Sequence, residues 1–156
     1  MVDLATSLDK EQYTASPEIF FGASVGKHYR HIIEFYQSFI NGIPSRVINY
    51  DKRERNVKIE NDLDYCIETI KNIENQLDEL SAMEIIPVEI EYEYDGKIIS
   101  SVSSTNRELI FCIEHCVHHL AILKLGIHSS FKNIKLPENL GVAHSTVQYM
   151  QKAAKQ

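Results

Sequence analysis

From Ile59 to Leu80 the apolar positions Ile59, Leu63, Cys66, Ile70, Ile73, Leu77 and Leu80 advance in steps of four and three, with Glu, Asp, Lys and Asn between them. That seam is the signature of a helix packed in a bundle, and it predicts one helix ending near Ser81. The same period recurs at Ile32, Phe35, Tyr36, Phe39 and Ile40. It predicts an earlier helix that opens at Ser24 or Gly26, runs to about Ile40 and is stopped by Asn41-Gly42 and Pro44. A third periodic run extends from Arg107 to Leu125 and places Leu109, Cys112, Ile113, Cys116 and Leu123 around one side. Thr105 and Glu108 stand in the T-x-x-E spacing of a capping box at its start. Gly126 has the place of the C′ residue that ends it.

Between these helices the period changes from helical to two. Val88, Ile90, Tyr92 and Tyr94 alternate with Glu89, Glu91 and Glu93, then Asp95-Gly96 precedes Lys97 to Val102. This is a β-hairpin with a two-residue turn. An isolated hairpin is marginally stable, so it must lie on the bundle, pair with a symmetry mate or cover a site. Elsewhere the pattern predicts a short helix within Met1 to Lys10, and a loop from Glu11 to Ala23 with one helical turn after Ser16-Pro17. Ser45 to Val57 reads as a connection and Ile127 to Pro137 as a loop. A last short helix, Val147 to Ala154, is capped by Ser145 or Thr146 and docks through Val147 and Met150 or Tyr149. The expected fold is mainly α, a single domain over residues 1–156 with the hairpin inserted before the histidine-bearing helix.

Composition narrows the classes. Apolar content of 44% and charged content of 24% are ordinary for a globular chain. A formal net charge of −6 argues against a nucleic-acid or anionic-membrane binder, since both need a basic surface. No continuous run approaches ~18 apolar residues, so no membrane span is expected. Asp3, Asp9 and Glu11 interrupt the first residues, so no signal peptide is expected. The cysteines Cys66, Cys112 and Cys116 are odd in number and lie inside predicted helices, which suggests free thiols in a reducing cytoplasm. There is no nucleophile elbow, phosphate loop or dinucleotide fingerprint.

The candidate chemistry lies in Glu114-His115-Cys116-Val117-His118-His119. His115 and His119, spaced i, i+4, project from one helix face, with His118 about 100° away. Two imidazoles on an apolar face need something to offset their desolvation. A divalent metal does so, given a further ligand from another helix; a satisfied core histidine pair is the plainer alternative. His28 and His31 lie one turn apart on the earlier helix. Arg46, Lys52, Arg53 and Arg55 form a basic cluster in an acidic chain. Such a run is either a solvated face or a source of an arginine that holds an anionic group.

Ser24-Val25-Gly26-x-His28-x-Arg30-His31-Ile32, Asn49-Tyr50-Asp51-x-Arg53-x-Arg55, Arg107-Glu108-Leu109, Ile113-Glu114-His115-x-x-His118-His119-Leu120-Ala121 and Gly141-Val142-Ala143-x-Ser145-Thr146 occur in that order. Together they resemble the DinB-like superfamily from about Glu11 to Tyr149, most closely its small bacterial members. The resemblance implies a four-helix bundle of unusual connectivity and a three-histidine site for a divalent transition metal such as zinc, nickel or iron. It assigns His115 and His119 as one ligand pair and His31, five residues after Gly26, as the third, with His28 the alternative. Three histidines leave an open coordination position, the arrangement of a catalytic site. The implied activity is that of a metal-dependent thiol transferase or amidohydrolase-like enzyme on a small molecule. Glu108 and Glu34 are then candidates for a general base or a ligand-orienting carboxylate, and Arg53 and Arg55 for holding a substrate carboxylate. Cys112 is either a fourth ligand or core. The chain departs from the family in its short N-terminal segment, so its C-terminal segment or a second subunit would complete the bundle. A non-catalytic helical protein whose hairpin is a homodimer or partner surface is the competing reading.

Overall fold

The structure is a computed structural model that describes residues 1–81 and 85–154. It is mainly helical, with helices α1 (Val2–Thr6), α2 (Lys10–Thr14), α3 (Val25–Gly42), α4 (Val57–Asn61), α5 (Leu63–Ser81), α6 (Thr105–Ser130) and α7 (His144–Ala153). A small sheet is formed by β1 (Val47–Asn49), β2 (Pro87–Tyr94) and β3 (Lys97–Ser104).

Helix α3 is the central element: α2, α4, α5, α6 and β1 all pack on it. Ser24 begins it, its side chain accepting from the Lys27 amide, an N-cap in the expected place. Gly26 lets α3 approach α4 closely, since a Cβ there would lie 2.0 Å from the Glu60 carbonyl oxygen. Two apolar clusters divide the core along α3. One gathers Leu4, Tyr13, Phe20, Tyr29, Ile33, Leu63, Ile70, Leu123 and Ile127. The other joins Phe35, Phe39, Ile43, Ile48, Val88 and Cys112, and so seats the sheet on α3 and α6.

The hairpin forms as the alternation predicts. Val88 pairs with Ser103 and Tyr94 with Lys97, and Asp95 (φ 50°) and Gly96 (φ 68°) make the turn. Positive φ at both central residues is the type I′ geometry that matches strand twist. Within Ser45 to Val57, read as a plain connection, β1 pairs parallel to β2 with Ile48 opposite Ile90. A three-residue strand is too short to show alternation, which is why it escaped the period.

Other boundaries differ for physical reasons. Glu11 to Thr14, expected as the start of a loop, belong to α2, which forms because Asp9 and Gln12 cap it reciprocally. The expected helix over Ile59 to Leu80 breaks at Asp62, where the backbone is extended and the carboxylate accepts from the Tyr65 amide. The start of α6 is capped by Ser104, not Thr105. Gly126 does not end α6: it is buried inside the helix, where a Cβ would sit 2.0 Å from the Phe20 ring. The glycine serves a helix–turn contact, and α6 runs on to Ser130. Ile113, grouped with the buried side of that helix, is 48% exposed. The last helix starts at His144 after Ala143 and buries no side chain, and Tyr149 and Met150 face outward.

By length and composition α6 is apolar enough to cross a membrane, with a mean hydropathy of 1.4 over its most apolar window. The continuous-run criterion missed this because histidines and Glu114 interrupt the run. Only 28% of that window is buried: Cys112, Cys116 and Leu123 of α6 face the core, while Ile110, Ile113 and Leu125 are exposed.

Candidate metal centre

Helices α3 and α6 cross antiparallel, and their facing histidines fall in register. His28 meets His119, His31 meets His115, and one turn further the Phe35 carbonyl accepts from Cys112 Sγ at 3.9 Å. The histidine layer therefore lies at the junction of the two apolar clusters. His31, His115 and His119 each offer a ring nitrogen, and these atoms all lie within 4.8 Å of one another. His31 Nε2 and His115 Nε2 are 2.9 Å apart. His28 lies outside this group, with its Nδ1 3.1 Å from His119 Nδ1.

The three residues are close enough to hold a metal ion, and their donor chemistry fits one. Burial, and then the neighbouring His115 and Arg53 charges, hold the His31 imidazole down at about 4. Burial, followed by the effect of His31 and His115, lowers His119 to about 3. His115 is lowered too, by burial first and then by His118 and Arg53. All three are neutral at pH 7, the state that ligates. The two facing Nε2 atoms share one proton, so one of them carries the N–H and the other the lone pair.

Aromatic side chains fix the rings. Phe35 stacks on His115 with centroids 4.1 Å apart and on Tyr50 at 5.1 Å. Phe111 closes on His115 from α6 at 5.9 Å. The Arg53 guanidinium lies 4.8 Å over the Phe35 ring and donates to the Tyr50 carbonyl. Its Nε is buried without a hydrogen-bond acceptor and is 3.7 Å from Glu34 Oε2. Arg53 thus lies beside the histidine layer, with Glu34 as its charge partner. Arg55 is exposed, in a left-handed backbone conformation (φ 53°), and acts on Glu34 only through its charge.

Of the two carboxylate candidates, Glu34 is 3% exposed between Arg30 and Arg53. Burial raises its pKa against the pull of Arg30, a hydrogen bond from the Asn56 backbone and the pull of Arg53. Glu108 is differently placed. Its carboxylate accepts from Tyr50 Oη at 3.0 Å and from Ser103 Oγ at 2.6 Å. Both oxygens are engaged, so it ties α6 to β3 and to the residue after β1 and is not aimed at the histidines. Cys112 is buried and its thiol is pushed up to about 12, chiefly by burial. It bonds the Phe35 carbonyl and Tyr50, which is core behaviour. The ring contacts of Phe35, Tyr50 and Phe111 join segments far apart in sequence, and nothing in local pattern marks them.

No protein-family model matches the chain, and no solved structure matches it. Among curated proteins it is similar to FK506-binding protein 5 of Rhizopus delemar, with 33% identity over 115 residues, or 68% of this chain. The chain spans 28% of the length of that relative.

Proposed function

We propose that this chain is a DinB-like metal-binding domain built as a four-helix bundle. In this reading His31, His115 and His119 hold a divalent transition metal such as zinc, nickel or iron. The observation that carries the reading is the convergence of three neutral, half-buried imidazoles from two helices within 4.8 Å. With three protein ligands, a bound metal would keep an open position and lower the pKa of a water or thiol placed there.

The chain's own residues support chemistry on a small anionic molecule, in line with a metal-dependent transferase or hydrolase acting on a low-molecular-weight thiol. Arg53, held over Phe35 beside His115, supplies a fixed positive charge for a carboxylate. Glu34, buried and raised, is the carboxylate suited to hold or pass a proton. Phe35, Tyr50 and Phe111 limit water on one side of the layer.

A homodimer belongs to the same proposal. Strand β3 is an edge of the sheet, and Val102, Ile99 and Ile98 are exposed on it, as are Ile110 and Ile113 on α6. An apolar edge of this kind is normally covered. We place the protein in the cytoplasm, with neither nucleic acid nor membrane as partner, on its net charge and its three free, buried cysteines.

The test is a screen of metal-loaded protein with low-molecular-weight thiols and an electrophilic co-substrate, run beside His115→Ala. Turnover that disappears with His115 supports the enzyme. Turnover that survives it overturns the assignment. Metal that raises the melting temperature without any turnover favours the non-catalytic reading, in which the ion is structural and the β3 edge is the working surface.

A further inference from the structure

We infer that His28 is a positioning residue: it accepts the Nδ1 proton of His119 and so directs His119 Nε2 toward the ion. The inference rests on the metal-site reading above, and it concerns a histidine that lies outside the ligand group.

The facing atoms are His28 Nδ1 and His119 Nδ1, 3.1 Å apart. Two imidazole nitrogens at that distance share one proton. If His28 donated it, His119 would carry its own proton on Nε2 and could not ligate through that atom. If His119 donates it, Nε2 bears the free lone pair. His31 and His115 already present Nε2 to each other, so the second arrangement gives three ligands of one kind. Ligating histidines generally fix their tautomer by donating the other ring N–H to an acceptor. For His119 that acceptor is an imidazole in place of the more common carboxylate or carbonyl.

The fold holds His28 for this task. Its ring lies 5.3 Å from that of Phe20, which is 6% exposed on the short turn Glu18–Phe20. Phe20 in turn occupies the space over Gly126, where any Cβ would be 2.0 Å from its ring atoms. Gly126, Phe20, His28 and His119 therefore form one line of contact running from α6, through the turn and α3, back to α6. This accounts for a glycine in the interior of a long helix, a choice that otherwise costs helix stability.

The experiment compares Co(II) affinity and the visible Co(II) spectrum of the wild type with His28→Phe and His28→Gln, alongside the melting temperatures of the metal-free forms. Phenylalanine keeps a ring against Phe20 without an acceptor, and glutamine keeps an acceptor. The expected result for His28→Phe is a loss of roughly 10–100-fold in affinity, the usual range for an outer partner of a metal ligand, with an altered spectrum. His28→Gln recovers most of the affinity, and the metal-free melting temperatures stay together. Equal affinity and an unchanged spectrum in His28→Phe overturn the inference while leaving the metal site standing. A loss in His28→Gln as deep as in His28→Phe makes His28 a ligand and overturns it as well. A wild type that binds no Co(II) overturns the metal-site reading and this inference with it. Should His28→Phe fail to fold, ¹⁵N NMR of the Zn(II)-loaded wild type decides: a proton on His119 Nδ1 is expected, and a proton on its Nε2 refutes the role.

Discussion

At the start of α6 the Glu108 carboxylate accepts from Tyr50 and Ser103, and both its oxygens are engaged. Two turns further along the same helix, His115 and His119 meet His31, and one ring nitrogen from each lies within 4.8 Å of the others. Both clusters are polar groups withdrawn from water by the same pair of apolar cores. The first is complete as it stands, and a closed network of that kind secures structure. The second is close enough to hold a metal ion, and under the proposed function a cation completes it. The contrast separates a side chain whose partners are all supplied by the fold from a cluster whose proposed partner is an ion, although Glu108 and the histidines lie on one helix.

The comparison is broken most strongly at Glu108. Replacing Glu108 by Ala leaves two hydroxyls without their acceptor and removes charge-assisted bonds, for an expected loss of about 3 kcal/mol in chemical denaturation. Metal affinity in that variant is expected to fall by less than about tenfold, because Glu108 reaches His115 only indirectly, through Tyr50 and Phe35. A loss of metal in parallel with stability would join the two clusters into one.

The acid limb of the stability curve sharpens the histidine side. In the folded chain His31 and His119 take protons at about 4 and about 3, against 6.5 for the free group. Below pH 6.5 the unfolded chain therefore binds more protons, and stability falls as pH falls. The melting temperature of the metal-free protein is expected to be level above this point as far as these groups are concerned, and to decline toward pH 4. The decline should be shallower in a His31→Gln/His119→Gln double variant, and an unchanged slope would show that these imidazoles are not buried neutral. The smallest effect is expected for Tyr50→Phe, which keeps the ring stacked on Phe35 and deletes the hydroxyl that bonds Glu108 and, more weakly, Cys112, at about 1.5 kcal/mol.

What could be read from sequence follows the range of the interactions. The i, i+4 pair of His115 and His119 and the Asp95-Gly96 hairpin are local, and period and turn chemistry reveal them. The choice of His31 over His28 came from resemblance, and the register of α3 against α6 gives it a geometric basis. Glu108 looked like a capping-box residue or a base because its partners, Tyr50 and Ser103, sit on other elements. Gly126 read as a helix stop because Phe20, more than a hundred residues earlier, is invisible to local pattern. The break at Asp62 was hidden because the apolar seam continues across it from Ile59 to Leu63.

The most direct measurement is the metal content of protein purified without an immobilised-metal column, for the wild type and for His31→Ala and His119→Ala. The account predicts about one divalent ion per chain in the wild type, as a three-histidine site requires, and loss of that ion in each variant with helicity retained. A wild type that carries no metal after exposure to zinc, nickel and iron, or variants that keep theirs, would contradict it.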